Sequence, residues 1–420
     1  LNRRDFVRWL SASACGWAGR NAIAQGGTAA RVVIIGAGYS GATAAKYIRL
    51  WAPDIEVTLI ERNPEFISCP LSNLVLGGSK TLADLTVGYG GLQKYGIKKI
   101  RGVVVAVDPV KREVRLASGD AFGYDRLIVA PGVDFSYDGI PGLNNDDAQS
   151  RVPHAWKAGA QTVTLRKQLE SMRDGGVFAI HVPLAPYRCA PAPYERACQV
   201  AFYFRHNKPK SKVLVLDANE DVQSKKALFM AAWNGPYKGM VEYRPNSGLV
   251  DVDVKSLTAK LEFEDVKADV LNVVPPQKAD AIAKQAGLVT ANNRWCGVDW
   301  LTLESISQKN IHVLGDATLT APVMPKSGHM ANQHAKVCAA AVIALIRGEP
   351  VNQQPVMINT CYSMVDDRAA GHVSTVHAYD VAQKTMMVVK GSGGLSDKAN
   401  ELEGVYAMSW AKNIWADMLA

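Results

Sequence analysis

The chain has 420 residues, of which 48% are hydrophobic and 20% charged, and its formal net charge is +8. That length suits about two or three domains at roughly 150 residues each, and the composition excludes collagenous, low-complexity and disordered classes. No uninterrupted apolar run reaches the roughly 18 residues of a membrane span, and no basic stripe interleaved with aromatics points to nucleic acid.

The first segment, "NRRDFVRWLSASACGWAGRNAIAQ", sets Arg3 and Arg4 before a short, mildly apolar stretch and ends in Ala22-Ile23-Ala24, a small-x-small cleavage pattern. Together these predict a twin-arginine export signal over residues 1–24 and a periplasmic location. The bland alternative is a basic amphipathic helix, and the context of Cys15 fits a lipoprotein cysteine poorly. Removing residues 1–24 takes away four arginines and one aspartate and leaves a charge of +5, a weak hint of an acidic partner. Twin-arginine export carries folded proteins, so a cofactor inserted before export is expected.

Next comes "RVVIIGAGYSGATAAKYIRL". Val32 to Ile35 predicts a buried strand, Gly36, Gly38 and Gly41 a tight turn, and Ala42 to Leu50 a helix whose first N–H groups face a pyrophosphate. The following strand, "EVTLIE", ends in Glu61, placed for ribose hydroxyls, with Arg62 beside it. Strand, glycines, helix, strand and acid in one unit carry far more weight than the glycines alone. Two later segments favour FAD over NAD: "YDRLIVAPG" (124–132) and "NIHVLGDAT" (310–318), whose Asp316 is placed for the ribityl chain.

A second βαβ unit is predicted across residues 161–217. Its turn, "PLAPYRCAPAPYE" (183–195), has no glycine and four prolines around Cys189. Proline has no N–H to offer a phosphate, and no glycine permits close approach. The unit keeps the fold of an NAD(P)H domain and is expected to have lost the nucleotide. From this stretch alone, a rigid connector with an incidental cysteine is an equal reading. Past the export segment the cysteines are Cys69, Cys189, Cys198, Cys296, Cys338 and Cys361, with no CxxC or CxxCH. That spacing excludes a zinc ribbon, a thioredoxin motif and a c-type haem on this chain, and no metal site is expected.

From about Arg31 onward the chain resembles the flavoprotein subunit of flavocytochrome c sulfide dehydrogenase. The segments that carry the resemblance are "SCPLSNLVLGG", "PHAWKAG", "PYRCAPAPYERA", "MPKSGHMAN" and "NTCYS". Sulfide:quinone reductases share them more weakly. The resemblance implies FAD bound covalently at its 8α position to Cys69, and a redox disulfide between Cys189 and Cys361. It implies a proton-handling role for Glu195 and a place for Trp410 near the flavin–haem route. Without the resemblance, Glu195 is equally a first-turn glutamate favoured by the helix dipole. Cys69 alone would also fit the redox cysteine of coenzyme A disulfide reductases, which need the glycine-rich NADH turn missing here. Lys326 is a candidate to offset negative charge on reduced flavin, a surface lysine being the alternative. Cys198, Cys296 and Cys338 are expected to be buried small hydrophobes.

The implied reaction is sulfide oxidation by disulfide exchange, with electrons passing through FAD to a separate c-type cytochrome subunit. A quinone is the alternative acceptor. The last residues, "YAMSWAKNIWADMLA", place Tyr406, Trp410 and Ile414 at helical spacing, a stripe expected to pack as a core face rather than enter a membrane. A non-catalytic flavoprotein that only orders a cytochrome, and an ordinary NADH-linked reductase, are the competing classes. The expected architecture is α/β: two Rossmann-like, glutathione-reductase-like domains. The FAD domain spans 30–150 and 285–345, the degenerate NAD-like domain 151–284, and a C-terminal α+β interface region 346–420.

Overall fold

The computed structural model describes residues 29–420, so the export segment lies outside the described residues. In chain order, β1 (Arg31–Ile35), α1 (Gly41–Trp51), β2 (Glu56–Glu61), β3 (Lys98–Arg101) and β4 (Arg126–Val129) build a first unit. A second follows in β5 (Val177–Val182), α2 (Ala192–Asn207), β6 (Lys212–Asp217), α3 (Lys226–Asn234), β7 (Val241–Arg244) and β8 (Val270–Val273). The chain returns to the first unit with β9 (Ile311–Val313) and α4 (Gly328–Arg347). It ends in β10 (Val356–Met364), β11 (Ala370–Asp380), β12 (Thr385–Val388) and α5 (Glu401–Leu419).

The first sheet is parallel, in the order β9-β4-β1-β2-β3, with Ile35 paired to Ile60 on one side and Val129 on the other. A central parallel strand has both faces covered, so it needs an unbroken apolar run, which Val32 to Ile35 provides. Helices α1 and α4 cover one face. Ala44 and Ala45 of the first and Ala335 and Ala339 of the second share one buried cluster, and such small side chains let the helices approach closely. Helix α4 opens where the Ser327 hydroxyl accepts from the Met330 N–H at 3.0 Å, and closes on Gly348 at φ +67°. The second sheet, β7-β6-β5-β8, is also parallel. The third, β10-β11-β12, is antiparallel. The fold is therefore α/β with two Rossmann-like units and a C-terminal α+β region.

Packing moves the domain edges read from the sequence. Ile140, Leu143 and Ala148 bury against Ala179, Leu216 and Val252 of the second unit, so the first crossover lies before residue 140 rather than at 150. Ala279, Ile282 and Ala286 pack with Val107 and Val114 of the first unit, so the return lies before 279 rather than at 285. The C-terminal stripe is also corrected. On α5 the buried face is Gly404, Ala407, Ala411, Ile414 and Met418, while Tyr406 is 49% exposed. The helix docks through its small residues: a Cβ on Gly404 would lie 1.6 Å from the Arg368 carbonyl oxygen. Among the described residues no helix is long and apolar enough to cross a membrane.

Candidate active site

A cavity of about 710 Å³ runs from the first glycine turn, past Glu61 and Arg62, to Cys69, Arg188 and Asp316. Its phosphate end is shaped by the glycines. Gly36 has φ +89°, and a Cβ there would meet the Ala130 oxygen at 2.4 Å. A Cβ on Gly41 would lie 1.8 Å from the Gly36 oxygen, so helix and turn touch backbone to backbone. Gly38 has open space where a Cβ would be, facing the cavity. Glu61 is fixed at the wall: its Oε2 accepts from the Ala37 N–H and its Oε1 from the Asn63 N–H, both at 2.8 Å. Arg62 reaches Asp280 at 3.7 Å. Asp316 lines the far end, its carboxyl pushed up by burial and pulled back by Arg188 and Lys326. Glycine turn, ribose-side acid and inner aspartate together fit a flavin adenine dinucleotide.

Cys69 lines the same cavity, and its sulfur accepts from the Ala158 N–H at 3.4 Å. Burial works against the Arg188 charge, yet Cys69, Asp316 and Cys189 around it hold the guanidinium above the ordinary arginine value. Lys326 stands off the cavity wall. Its buried ammonium donates to the Asp316 and Thr318 carbonyls at 2.9 and 2.5 Å and sits 3.7 Å from the Trp295 ring centre, braced under the aspartate turn. Burial pulls that ammonium down to about 8. Trp410 is half-buried away from the cavity, 5.9 Å from the His329 ring and 6.5 Å from the Tyr362 ring, next to Cys361 in sequence.

The proline turn delivers Cys189 to the inner side of this region. Cys189 holds φ +60°, a strained value for a non-glycine residue. Its N–H donates to the Lys326 carbonyl and its own carbonyl accepts from the Ala192 N–H, both at 2.9 Å. Cys361 comes from β10. Burial pushes the Cys189 thiol up, with Cys361 and then Glu195 adding to the shift and Lys225 and Arg188 opposing it. The turn holding Cys189 leads directly into the helix bearing Glu195, and Glu195 is bonded to the strand that carries Cys361. None of the six cysteines among the described residues is bridged in the structure, so the expected Cys189–Cys361 disulfide is not formed there; Cys198, Cys296 and Cys338 are buried.

Glu195 is not a solvated first-turn glutamate. Its Oε1 accepts from the Met364 N–H and its Oε2 from the Asn73 amide, both at 2.8 Å. The carboxyl therefore ties the helix after the Cys189 turn to the strand bearing Cys361. Burial pushes it up, against the Met364 and Asn73 bonds and the nearby Lys225 and Arg196. Arg196 fixes the same Asn73 through its Oδ1 at 3.0 Å and lies over the Trp156 ring. Burial pulls the Arg196 guanidinium down to about 9.

Where a nucleotide ribose would meet the second unit, the acid is already occupied. The Asp217 carboxylate is fully buried and accepts from the Tyr194 hydroxyl at 2.7 Å, the Tyr243 hydroxyl at 3.1 Å, and the Asn219 N–H and amide at 3.0 and 2.7 Å.

Sequence reading missed Arg188, Lys225, Asn359 and Asn73. Arg188 had one available signal, its place beside Cys189. Lys225 had none: its ammonium reaches the Cys361 carbonyl across 136 positions of chain.

The fold and cavity define a flavoprotein of the pyridine nucleotide-disulphide oxidoreductase class, and the family model of that description matches residues 30–168. Residues 162–275 match a model described as the central part of the sulfide dehydrogenase [flavocytochrome c] flavoprotein chain. Residues 353–419 match flavocytochrome c sulphide dehydrogenase, flavin-binding. The chain belongs to the sulfide-oxidising flavoprotein superfamily.

It is similar to the mitochondrial sulfide:quinone oxidoreductase of Mus musculus, 24% identical over 68% of this chain and 65% of that one, so just under two thirds of the mouse protein is spanned. It is 51% identical to the sulfide dehydrogenase [flavocytochrome c] flavoprotein chain of Chlorobaculum thiosulfatiphilum over 11% of this chain and 94% of the relative. The solved structure of sulfide:quinone oxidoreductase from Aquifex aeolicus shares the fold, with TM-score 0.78 and 19% identity over 93% of this chain and 92% of that one.

Proposed function

We propose that the chain oxidises sulfide through a Cys189–Cys361 pair and an FAD carried on Cys69, and passes the electrons to a c-type cytochrome subunit in the periplasm. The observation that carries this reading is the bond from Met364 of β10 to Glu195, in the helix that follows the proline turn, which draws the Cys189 turn toward the strand bearing Cys361, beside the flavin-fitting cavity. Sulfide opens a disulfide by exchange, leaving a persulfide on one cysteine and a thiolate on the other. Glu195, held between α2 and β10 with its carboxyl raised, receives and returns the proton of the incoming sulfide. Arg188 stands between Cys69 and Asp316 as the cation of the inner cavity. When bound, FAD supplies two-electron acceptance from sulfur and one-electron release to a haem.

The four bonds on the Asp217 carboxylate support the loss of the nicotinamide site, because a ribose would have to displace two tyrosine hydroxyls from a buried acid. A quinone acceptor is the second reading, favoured by the Mus musculus relative and the Aquifex aeolicus structure.

Three measurements test these parts. Acid denaturation, digestion and mass analysis are expected to give a flavin-linked Cys69 peptide and a bridged Cys189–Cys361 peptide; free FAD in the supernatant overturns covalent attachment. Anaerobic stopped-flow mixing with sulfide bleaches the flavin and mixing with NADH does not; bleaching by NADH overturns the lost site. Reoxidation of the sulfide-reduced protein by cytochrome c, and not by a soluble quinone, separates the two acceptors.

A further inference from the structure

The two sulfurs sit in unequal surroundings. Around Cys361 the protein supplies a cation and an amide donor. The Lys225 ammonium, on a side chain only 6% exposed, donates to the Cys361 carbonyl at 2.6 Å, the Ser363 hydroxyl at 2.8 Å and the Gly371 carbonyl at 3.4 Å. All three partners are neutral, so the protonated amine has no counter-charge among its own hydrogen-bond partners. Lys225 also holds a left-handed backbone at φ +55° at the start of α3. Strain in a residue with a buried charge points to a role beyond packing.

The Asn359 amide donates to the Cys361 sulfur at 3.4 Å, while the thiol in turn lies 3.5 Å from its Oδ1. The Ser327 hydroxyl donates to that Oδ1 at 2.6 Å, which leaves the amide N–H group aimed at the sulfur. The bonds that hold Cys189 are made by its backbone instead. Burial pulls the Lys225 ammonium down, and the groups that oppose this are Cys361 first, then Glu195 of α2, Cys189 and Glu403 of α5. Glu403 is bonded to His372 of β11 at 2.9 Å.

We propose that Cys361 is the sulfur released as thiolate when sulfide opens the pair, stabilised by the Asn359 amide and by Lys225 as a positioning residue, so that the persulfide forms on Cys189. The inference rests on the sulfide-oxidising reading above. In the step, the hydrosulfide sulfur bonds to the Cys189 sulfur, the Cys189–Cys361 bond breaks, and its electron pair leaves on Cys361. The hydrosulfide proton stays on the new persulfide or passes to Glu195. A buried thiolate needs a donor and a positive charge within reach; both sulfurs have a cation nearby, and Cys361 also has a side-chain donor bonded to its sulfur.

The test uses the full-length oxidised flavoprotein. It is mixed anaerobically with one equivalent of sulfide, quenched with iodoacetamide and digested. The expected product carries one extra sulfur on the Cys189 peptide and a simple alkyl group on Cys361. In dithiol-reduced protein, Cys361 is expected to alkylate faster than Cys189. Lys225→Met slows Cys361 alkylation at neutral pH at least tenfold and moves its pH midpoint upward, and Lys225→Arg restores most of it. If Lys225→Met does not accumulate, Asn359→Ala, which removes the amide donor together with the Oδ1 that Ser327 holds, shifts the same profile by a smaller amount. Extra sulfur on Cys361, or alkylation profiles unmoved in folded variants, overturns this inference and leaves the functional reading standing. Oxidised protein with no Cys189–Cys361 bridge sinks both.

Discussion

The chain holds two βαβ units of the same plan, and their turns have opposite contents. In the first, Gly36 and Gly38 put bare backbone against the cavity, Gly41 packs on the Gly36 carbonyl, and Glu61, at the end of β2, lines that cavity. In the second, prolines and a strained cysteine occupy the turn, and Asp217, at the end of β6, is sealed beneath Tyr194 and Tyr243. Both acids end equivalent strands. Both accept bonds from the protein, but Glu61 lines the cavity while Asp217 is fully enclosed by its partners. A Rossmann frame thus determines where a ligand would go, and the turn and the strand-end partners determine whether anything can go there.

The hardest break of this contrast is Gly41→Val. Its Cβ would overlap the Gly36 oxygen at 1.8 Å, which no side-chain movement relieves. The expected loss is about 3 kcal/mol of stability, the upper end of the range for overpacking, read as a large fall in melting temperature together with loss of bound flavin. Next comes Tyr194→Phe in the sealed unit. It removes the 2.7 Å donor from Asp217 and the acceptor of the Gln223 N–H. Urea titration is expected to show about 1–3 kcal/mol lost, the penalty for a buried polar group left short of a partner. NADH is still expected to leave the flavin oxidised, since Tyr243 and Asn219 keep the acid engaged. A gain of NADH reactivity would show that one hydroxyl alone closes the site.

A smaller effect comes from Glu195→Gln, at the start of the helix that follows the second turn. The amide oxygen can keep the Met364 N–H, but its NH₂ then faces the Asn73 NH₂, which Arg196 holds in place. About 1–2 kcal/mol is expected. Because burial raises the wild-type carboxyl, the folded protein binds more protons than the unfolded chain above the ordinary glutamate value of 4.5. The stability gained is full below that value and is lost as pH rises through the raised one. The variant lacks this slope, so the gap between the two proteins narrows as pH rises. Unfolding curves collected between pH 4 and 8 check it, and a constant gap would contradict a raised Glu195.

The turns were legible in the sequence because glycine and proline act locally: their effects on φ and on N–H supply do not depend on what lies across the fold. The positions of Cys189 and Asp316 were legible for the same reason, since each stands in or just after a turn whose strand could be read, while the roles expected of them came from resemblance to known flavoproteins. Lys225, Asn359 and Asn73 were not, because their meaning lies in partners that tertiary packing supplies. Asn73 and Glu195 are 122 positions apart. Lys326 read as either a cation for the flavin or a surface lysine; it is buried, its ammonium bonded to carbonyls of the aspartate turn, so the surface reading fails. Helix α5 misled through size. Its aromatics suggested the packed face, but the close approach is made by Gly404 against the Arg368 carbonyl, and a contact made by absent side chains leaves no hydrophobic period.

The finest test of the comparison pairs two substitutions that barely touch stability. Gly38→Ala adds a methyl where no protein atom lies within 4 Å, at a φ outside the left-handed range. Leu184→Ser alters a side chain 64% exposed in the second turn. Each is expected to change unfolding free energy by no more than about 0.5 kcal/mol. They differ in what the space is for. The Gly38 methyl projects into the cavity, where the phosphate end of a dinucleotide must approach the backbone, so flavin retained through gel filtration is expected to fall. The Leu184 change leaves flavin retention as it was, because its turn presents a sulfur rather than backbone N–H groups. Equal retention in the two variants would mean that the first turn does not need its bare backbone. The glycine-proline contrast would then no longer distinguish a ligand site from a filled one.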